Sequence, residues 1–129
     1  MKILLDTHCW LWWLTEPERL SQEVRNMLED GSNEVFLSAA SSWEIAIKYS
    51  LGKLHLPEPP ERFVPKRLAR DAISSLPVEH IHALRVAELP YHHKDPFDRL
   101  IISQATIEKL PVVTVDRHFE LYDVQVIRA

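Results

Sequence analysis

The sequence predicts an α/β domain in which a mainly parallel sheet is covered by helices on both faces, and three observations carry that prediction. Lys2 to Leu5, Val35 to Leu37 and Val112 to Val115 are short apolar runs without polar alternation, as expected of strands buried on both sides. Between them lie segments whose apolar residues recur at helical spacing, so strand and helix alternate along the chain. Asp6 and Asp116 stand at the C-terminal ends of two of the runs, where open α/β sheets gather their ligands.

Taken in order, the first strand ends at Asp6. Thr7 is suited to cap a helix that carries Trp10, Leu11, Trp13 and Leu14 as far as Pro17. Leu20, Val24, Met27 and Leu28 mark a surface helix over 20–29, ended by Asp30-Gly31-Ser32-Asn33. After the second strand, Ser38 or Ser41 starts a helix holding Trp43, Glu44, Ile45, Ala46 and Ile47. Gly52 to Pro60 is a proline-rich connector. The basic stretch that follows, with Arg62, Lys66, Arg67 and Arg70, has the composition to touch phosphates, although a solvated helix face is its commoner meaning. Ile73 to Leu76 reads as a short strand, and Ile81 to Leu89 as a helix. Asp95-Pro96 reads as the start of a helix running to about Leu110, since the Asp oxygen accepts an N-terminal N–H and proline at the first position loses no helical bond. Val112 to Val115 and Val124 to Ile127 supply the last two strands.

At 129 residues the chain is expected to fold as one domain over 1–129, with a single core of sheet and helices. Its 46% hydrophobic and 26% charged residues, with only two glycines, exclude a disordered or repetitive class. A net charge of −4 gives no global basic field, so a nucleic-acid contact must come from a local patch. The lone Cys9 lies beside Trp10 and reads as a small buried hydrophobe. Asp6 and His8 interrupt the apolar start before it reaches the length of a signal peptide or membrane span, so no membrane contact is expected and a cytoplasmic location is the default.

Four acids resist a purely structural explanation. Ile101, Ile102 and Ala105 follow Asp98 by three, four and seven residues, so its carboxylate shares the face that must be buried. The plainer reading makes Asp98 the partner of Asp95 in a capping-box-like pair. Glu44 has two plain readings, a Ser41-x-x-Glu44 capping box and an i,i+4 pair with Lys48. Ser38 is the more natural cap after the strand, and it puts Glu44 in the second turn with nothing to cap. Asp6 and Asp116 come from strands expected to deliver them to one edge. If the four meet, each close pair repels by roughly 4 kcal/mol at an effective dielectric of ~20, and a cation or protons must offset this. All-oxygen ligands favour Mg²⁺ or Mn²⁺, and such ions activate water against phosphodiesters. His92 and His93 invite a zinc reading, but adjacent turn residues rarely reach one ion, so solvated or substrate-facing histidines are expected.

The residues also match a family. The chain resembles the PIN-domain ribonucleases, and most closely the VapC-type toxins of bacterial toxin–antitoxin pairs. The likeness lies in Ile3-Leu4-Leu5-Asp6-Thr7-His8 with Trp12, in the stretch Leu37 to Lys48, in Asp95-Pro96-Phe97-Asp98-Arg99-Leu100-Ile101, and in Thr114-Val115-Asp116-Arg117-His118-Phe119. It implies a three-layer α/β/α fold, an acidic quartet of Asp6, Glu44, Asp98 and Asp116 holding Mg²⁺ or Mn²⁺ for RNA cleavage, and a homodimer neutralised by a cognate antitoxin. Many relatives carry an Asn followed by a later Asp near the last strand; here Asp116 takes the first place and His118 the second. Thr7 and Ser38 are candidates to aim the carboxylates, and Arg99, Arg117, Arg62, Lys66 and Arg67 to meet RNA phosphates. The competing class is a nucleic-acid- or protein-binding domain on the same fold, with acids that only cap helices. A covalent-Asp phosphatase lacks the second Asp it would need two residues after Asp6, and the chain has no glycine-rich phosphate loop.

Overall fold

The computed structural model describes residues 1–129. Strands β1 (Lys2–Leu5), β2 (Glu34–Ser38), β3 (Ser74–Leu76), β4 (Val112–Thr114) and β5 (Val126–Arg128) alternate with helices α1 (Thr7–Thr15), α2 (Gln22–Glu29), α3 (Ala39–Ser50), α4 (Pro60–Arg70), α5 (His80–Arg85) and α6 (Pro96–Glu108). The sheet order is β3-β2-β1-β4-β5 and every pairing is parallel. In register, Leu4 faces Val112 and Leu5 faces Val113, which brings the residue after β1 beside the end of β4.

The period of two along the strands sorts their side chains between two cores. Ile3, Leu5, Val35, Leu37 and Val113 point to a core closed by Cys9 and Trp10 of α1, Val24 of α2, Ile45 of α3 and Val64 of α4. Leu4 and Val112 point to the opposite core, closed by Ile101, Ile102 and Ala105 of α6 together with Phe119 and Tyr122. The architecture is the expected three-layer α/β/α. No helix is long and apolar enough to cross a membrane.

Element ends differ from expectation where a local backbone choice intervenes. Helix α1 begins at Thr7, which therefore does not cap it. Helix α2 begins after Ser21, whose Oγ accepts the Val24 N–H at 3.2 Å, so Leu20 becomes a core residue outside the helix. Helix α6 stops at Glu108 because Lys109 turns left-handed at φ 56. The segment expected as one helix over 81–89 is α5 followed by a 3-10 turn, Val86–Glu88. Strand β4 ends at Thr114 rather than Val115, and β5 begins two residues later and ends one residue later than the apolar spacing suggests.

Candidate metal centre

Asp6 leaves β1 at the position that would cap α1, with φ −66 and ψ 149, yet its side chain makes no cap bond. Oδ2 instead accepts from Thr114 Oγ1 at 2.8 Å across the β1–β4 seam, and Oδ1 is buried with no partner. The residue is only 2% exposed. Burial drives its carboxyl above the usual range against the pull of Thr114, His8 and the Thr7 backbone N–H, and the charge of Glu44 adds to the rise.

Glu44 is fixed by the start of α3. Ser38 accepts the Ala40 N–H at 3.0 Å and so caps the helix, which rules out the Ser41 capping box and leaves Glu44 in the second turn, 3% exposed. One of its oxygens does take the i,i+4 partner: Lys48 Nζ lies 2.6 Å from Oε2. The other, Oε1, is buried and unpaired.

Asp98 is the third residue of α6, and its backbone N–H, not its carboxylate, belongs to the cap, donating to Asp95 Oδ1 at 3.0 Å. The carboxylate faces inward, with Oδ2 2.9 Å from His93 Nε2. Burial, then the charges of Asp6, Asp95, Glu44 and Asp116, push it up to about 8. The same Nε2 lies 2.8 Å from Asp116 Oδ2. Asp116 follows β4, and its Oδ1 accepts the His118 N–H at 2.9 Å and lies 2.7 Å from His118 Nδ1. Burial pushes this carboxyl up, but the bonds to His118 and His93 outweigh it and hold it below the ordinary value.

The charges of Asp6, Glu44 and Asp116 thus all act on Asp98, and that of Glu44 on Asp6. The aiming role expected of Thr7 and Ser38 falls elsewhere. Thr7 Oγ1 donates to Ser41 Oγ at 2.7 Å and ties α1 to α3, while Ser38 bonds Gln104 on α6. Thr114 is the hydroxyl that orients Asp6, and it also accepts the Asp116 N–H at 3.0 Å. Sequence reasoning missed Thr114, although its place two residues before Asp116 on a buried strand is a usable signal. His93, expected to be solvated or substrate-facing, is not solvated: its side chain is 13% exposed and set against Asp98 and Asp116.

Arg99 does not meet phosphate. It is 5% exposed, and its guanidinium donates to the carbonyls of Val86, Leu89, Pro90 and His93 and lies 3.4 Å from the Tyr122 hydroxyl. The basic residues of α4 are not joined to the acids by any contact: Lys66 pairs with Glu58 at 3.0 Å, Arg67 lies 3.9 Å from Asp71, and Arg62 is exposed on the same helix. Arg117 is exposed one residue beyond Asp116. Cys9, behind Asp6, has its thiol pushed up to about 12, by burial first and the Asp6 charge second, so it is inert.

Buried carboxylate oxygens without donors are costly. Asp6 Oδ1 and Glu44 Oε1 are two such atoms on different elements, and the charges of both residues act on Asp98; the ligand atoms of His93, Asp116 and His118 all lie within 4.8 Å of one another, close enough to share an ion. A donor set of carboxylate oxygens fits a hard ion.

Residues 3–125 match the PIN domain family. Ribonuclease VapC22 of Mycobacterium tuberculosis is 30% identical over 115 residues, covering 89% of this chain and 87% of that protein. Ribonuclease VapC16 of the same organism is 52% identical over 60 residues, 46% of this chain, and the match spans 43% of that protein, less than half its length. Among solved structures, VapBC2 from Rickettsia felis, bound to a DNA fragment from their promoter, aligns over 98% of both chains with a TM-score of 0.73 at 17% identity, a likeness of fold.

Proposed function

This chain belongs to the PIN-domain family, and from that premise we propose that it is the toxin of a type II toxin–antitoxin pair, an endoribonuclease dependent on Mg²⁺ or Mn²⁺. The observation that carries the reading is the pair of buried, donorless oxygens, Asp6 Oδ1 and Glu44 Oε1, beside an Asp98 carboxyl pushed up to about 8. In this reading Asp6, Glu44 and Asp98 would hold the ion, and Thr114 fixes the Asp6 carboxylate through Oδ2. Asp116 accepts the proton side of the attacking water and orients it. Lys48, next to Glu44 and 40% exposed at its side chain, and the exposed Arg117, which follows Asp116, are cations an RNA phosphate would meet. A divalent ion bound there supplies Lewis acidity toward a phosphoryl oxygen and lowers the pKa of water.

The partners proposed are an RNA substrate, a cognate antitoxin protein and a second copy of the chain, in the cytoplasm. The antitoxin follows from the VapC-like motifs together with the likeness to the VapBC2 fold. The deciding experiment incubates the purified protein with cellular RNA with and without Mn²⁺ and maps new ends. Cleavage should require the ion and fall by on the order of 100-fold or more in Asp6→Asn, the scale of losing one electrostatic contact to a transition state. Equal cleavage in excess EDTA would overturn the reading, and RNA binding without cleavage would favour a binding module.

A further inference from the structure

Three of the four tryptophans have a place in the folding of the chain. Trp10 is buried, and Trp12 and Trp13 pack against the same core. Trp43 belongs to neither core and is 60% exposed. Isolated exposed apolar side chains are ordinary on a surface, and what sets this one apart is where it stands. It precedes Glu44 on α3, and its ring meets that of Phe97, which precedes Asp98 on α6, edge to face at 5.1 Å with the planes 76° apart. Phe97 also lies outside both cores. The pair therefore spans the two helices that deliver Glu44 and Asp98. Its packing, an arrangement that aromatic quadrupoles favour, sets the plane of the indole relative to both.

The setting suits one class of ligand. The face of an aromatic ring takes an unpaired nucleobase by stacking, largely without regard to sequence, while cations nearby track the phosphates. Lys48 supplies such a cation one turn along α3 from Glu44, 2.6 Å from Oε2 and with its side chain partly exposed. A base inside a paired helix has its faces covered by its neighbours and offers the indole nothing. A protein partner would cover the ring by its apolar area alone, with no use for the acids alongside.

We propose that Trp43, braced by Phe97, is the platform on which an unpaired base of the RNA stacks beside the bond to be cut. This rests on the reading that the acids cleave RNA. Trp43 then holds the substrate and takes no part in the chemical step.

The test measures binding to the full chain by fluorescence anisotropy in EDTA. Two labelled probes about 10 nucleotides long are compared, a random-sequence single-stranded RNA and a ribose-phosphate chain without bases. The wild type should hold the RNA more tightly than the baseless chain. Trp43→Ala should lose about 5- to 150-fold in affinity for the RNA, the scale of one stacked base, and nothing for the baseless chain. Trp43→Leu, which keeps an apolar contact to Phe97 without a π face, should lose as much and serves if the alanine variant does not melt cooperatively. Trp43→Phe should recover most of the loss. In Mn²⁺ the leucine variant should raise KM for the same RNA by a similar factor with kcat within about twofold, because a contact made equally in ground and transition states leaves kcat alone. Equal affinity of the wild type and the leucine variant for the RNA, or an equal loss toward both probes, would overturn the proposal. A leucine variant whose only change is from dimer to monomer in light scattering would assign the ring to a second copy and overturn it as well. These outcomes leave the nuclease reading standing wherever the wild type cuts RNA in Mn²⁺. Binding that depends on the ring, without any cleavage, would overturn the nuclease reading alone.

Discussion

Asp98 shows most directly how a single side chain links folding to pH. The folded chain keeps its proton up to about 8, against 3.8 for the ordinary carboxyl, so between those values the folded state holds a proton that the unfolded chain releases. That contribution to stability is full below the lower value and is lost as pH rises through the upper one. In EDTA the melting temperature should fall from pH 5 to pH 8.5. Asp98→Asn should flatten this slope and stabilise the ion-free protein by roughly 2–4 kcal/mol at pH 8, read by thermal melts across pH. Asp116 has the opposite sign, its stabilising effect vanishing only in acid as its lowered carboxyl takes up a proton. Arg99 is different again, since its guanidinium serves neutral carbonyls and stacks 4.2 Å over Tyr91. Arg99→Met should cost on the order of 3 kcal/mol in denaturant melts, because it strands several of those acceptors. The four acids were legible in the sequence because each sits where strand end or helix period demands something else. Arg99, His93 and Thr114 were not, because their partners are backbone groups or acids that only the parallel register brings near.

Among the elements, the strands were legible because unbroken apolar runs have few other uses in a short chain. Their ends and those of the helices were less so, since a boundary is set by one or two backbone angles that apolar spacing does not encode. Lys109 is the clearest case, a non-glycine residue in the left-handed region that closes α6. Lys109→Gly should relieve that conformation and stabilise the protein by about 0.5–1 kcal/mol in chemical denaturation, while losing nothing at the acids. At the other pole, Ser21→Ala removes the acceptor of the Val24 N–H and should cost about 1 kcal/mol, mostly through α2. The short α5 escaped clean reading because six residues span too few turns to establish a period, and it is fixed instead by tertiary bonds, Ser103 Oγ donating to the His82 carbonyl at 2.7 Å and His82 meeting Glu108 at 2.8 Å.

For the molecule as a whole, the acids oppose folding until something positive joins them. Mg²⁺ at about 100 times its dissociation constant should stabilise the protein by about 2.7 kcal/mol, and the shift in melting temperature should be larger at pH 8 than at pH 6, where the ion must first displace the proton of Asp98. An equal shift at both pH values would mean that Asp98 does not take part. The sheet order carries one more consequence. β1 is hydrogen-bonded to β4, so Asp6 meets Thr114 only once the stretch between them, with the helices that carry Glu44 and Asp98, has been made, and the acids are brought together late and as a set.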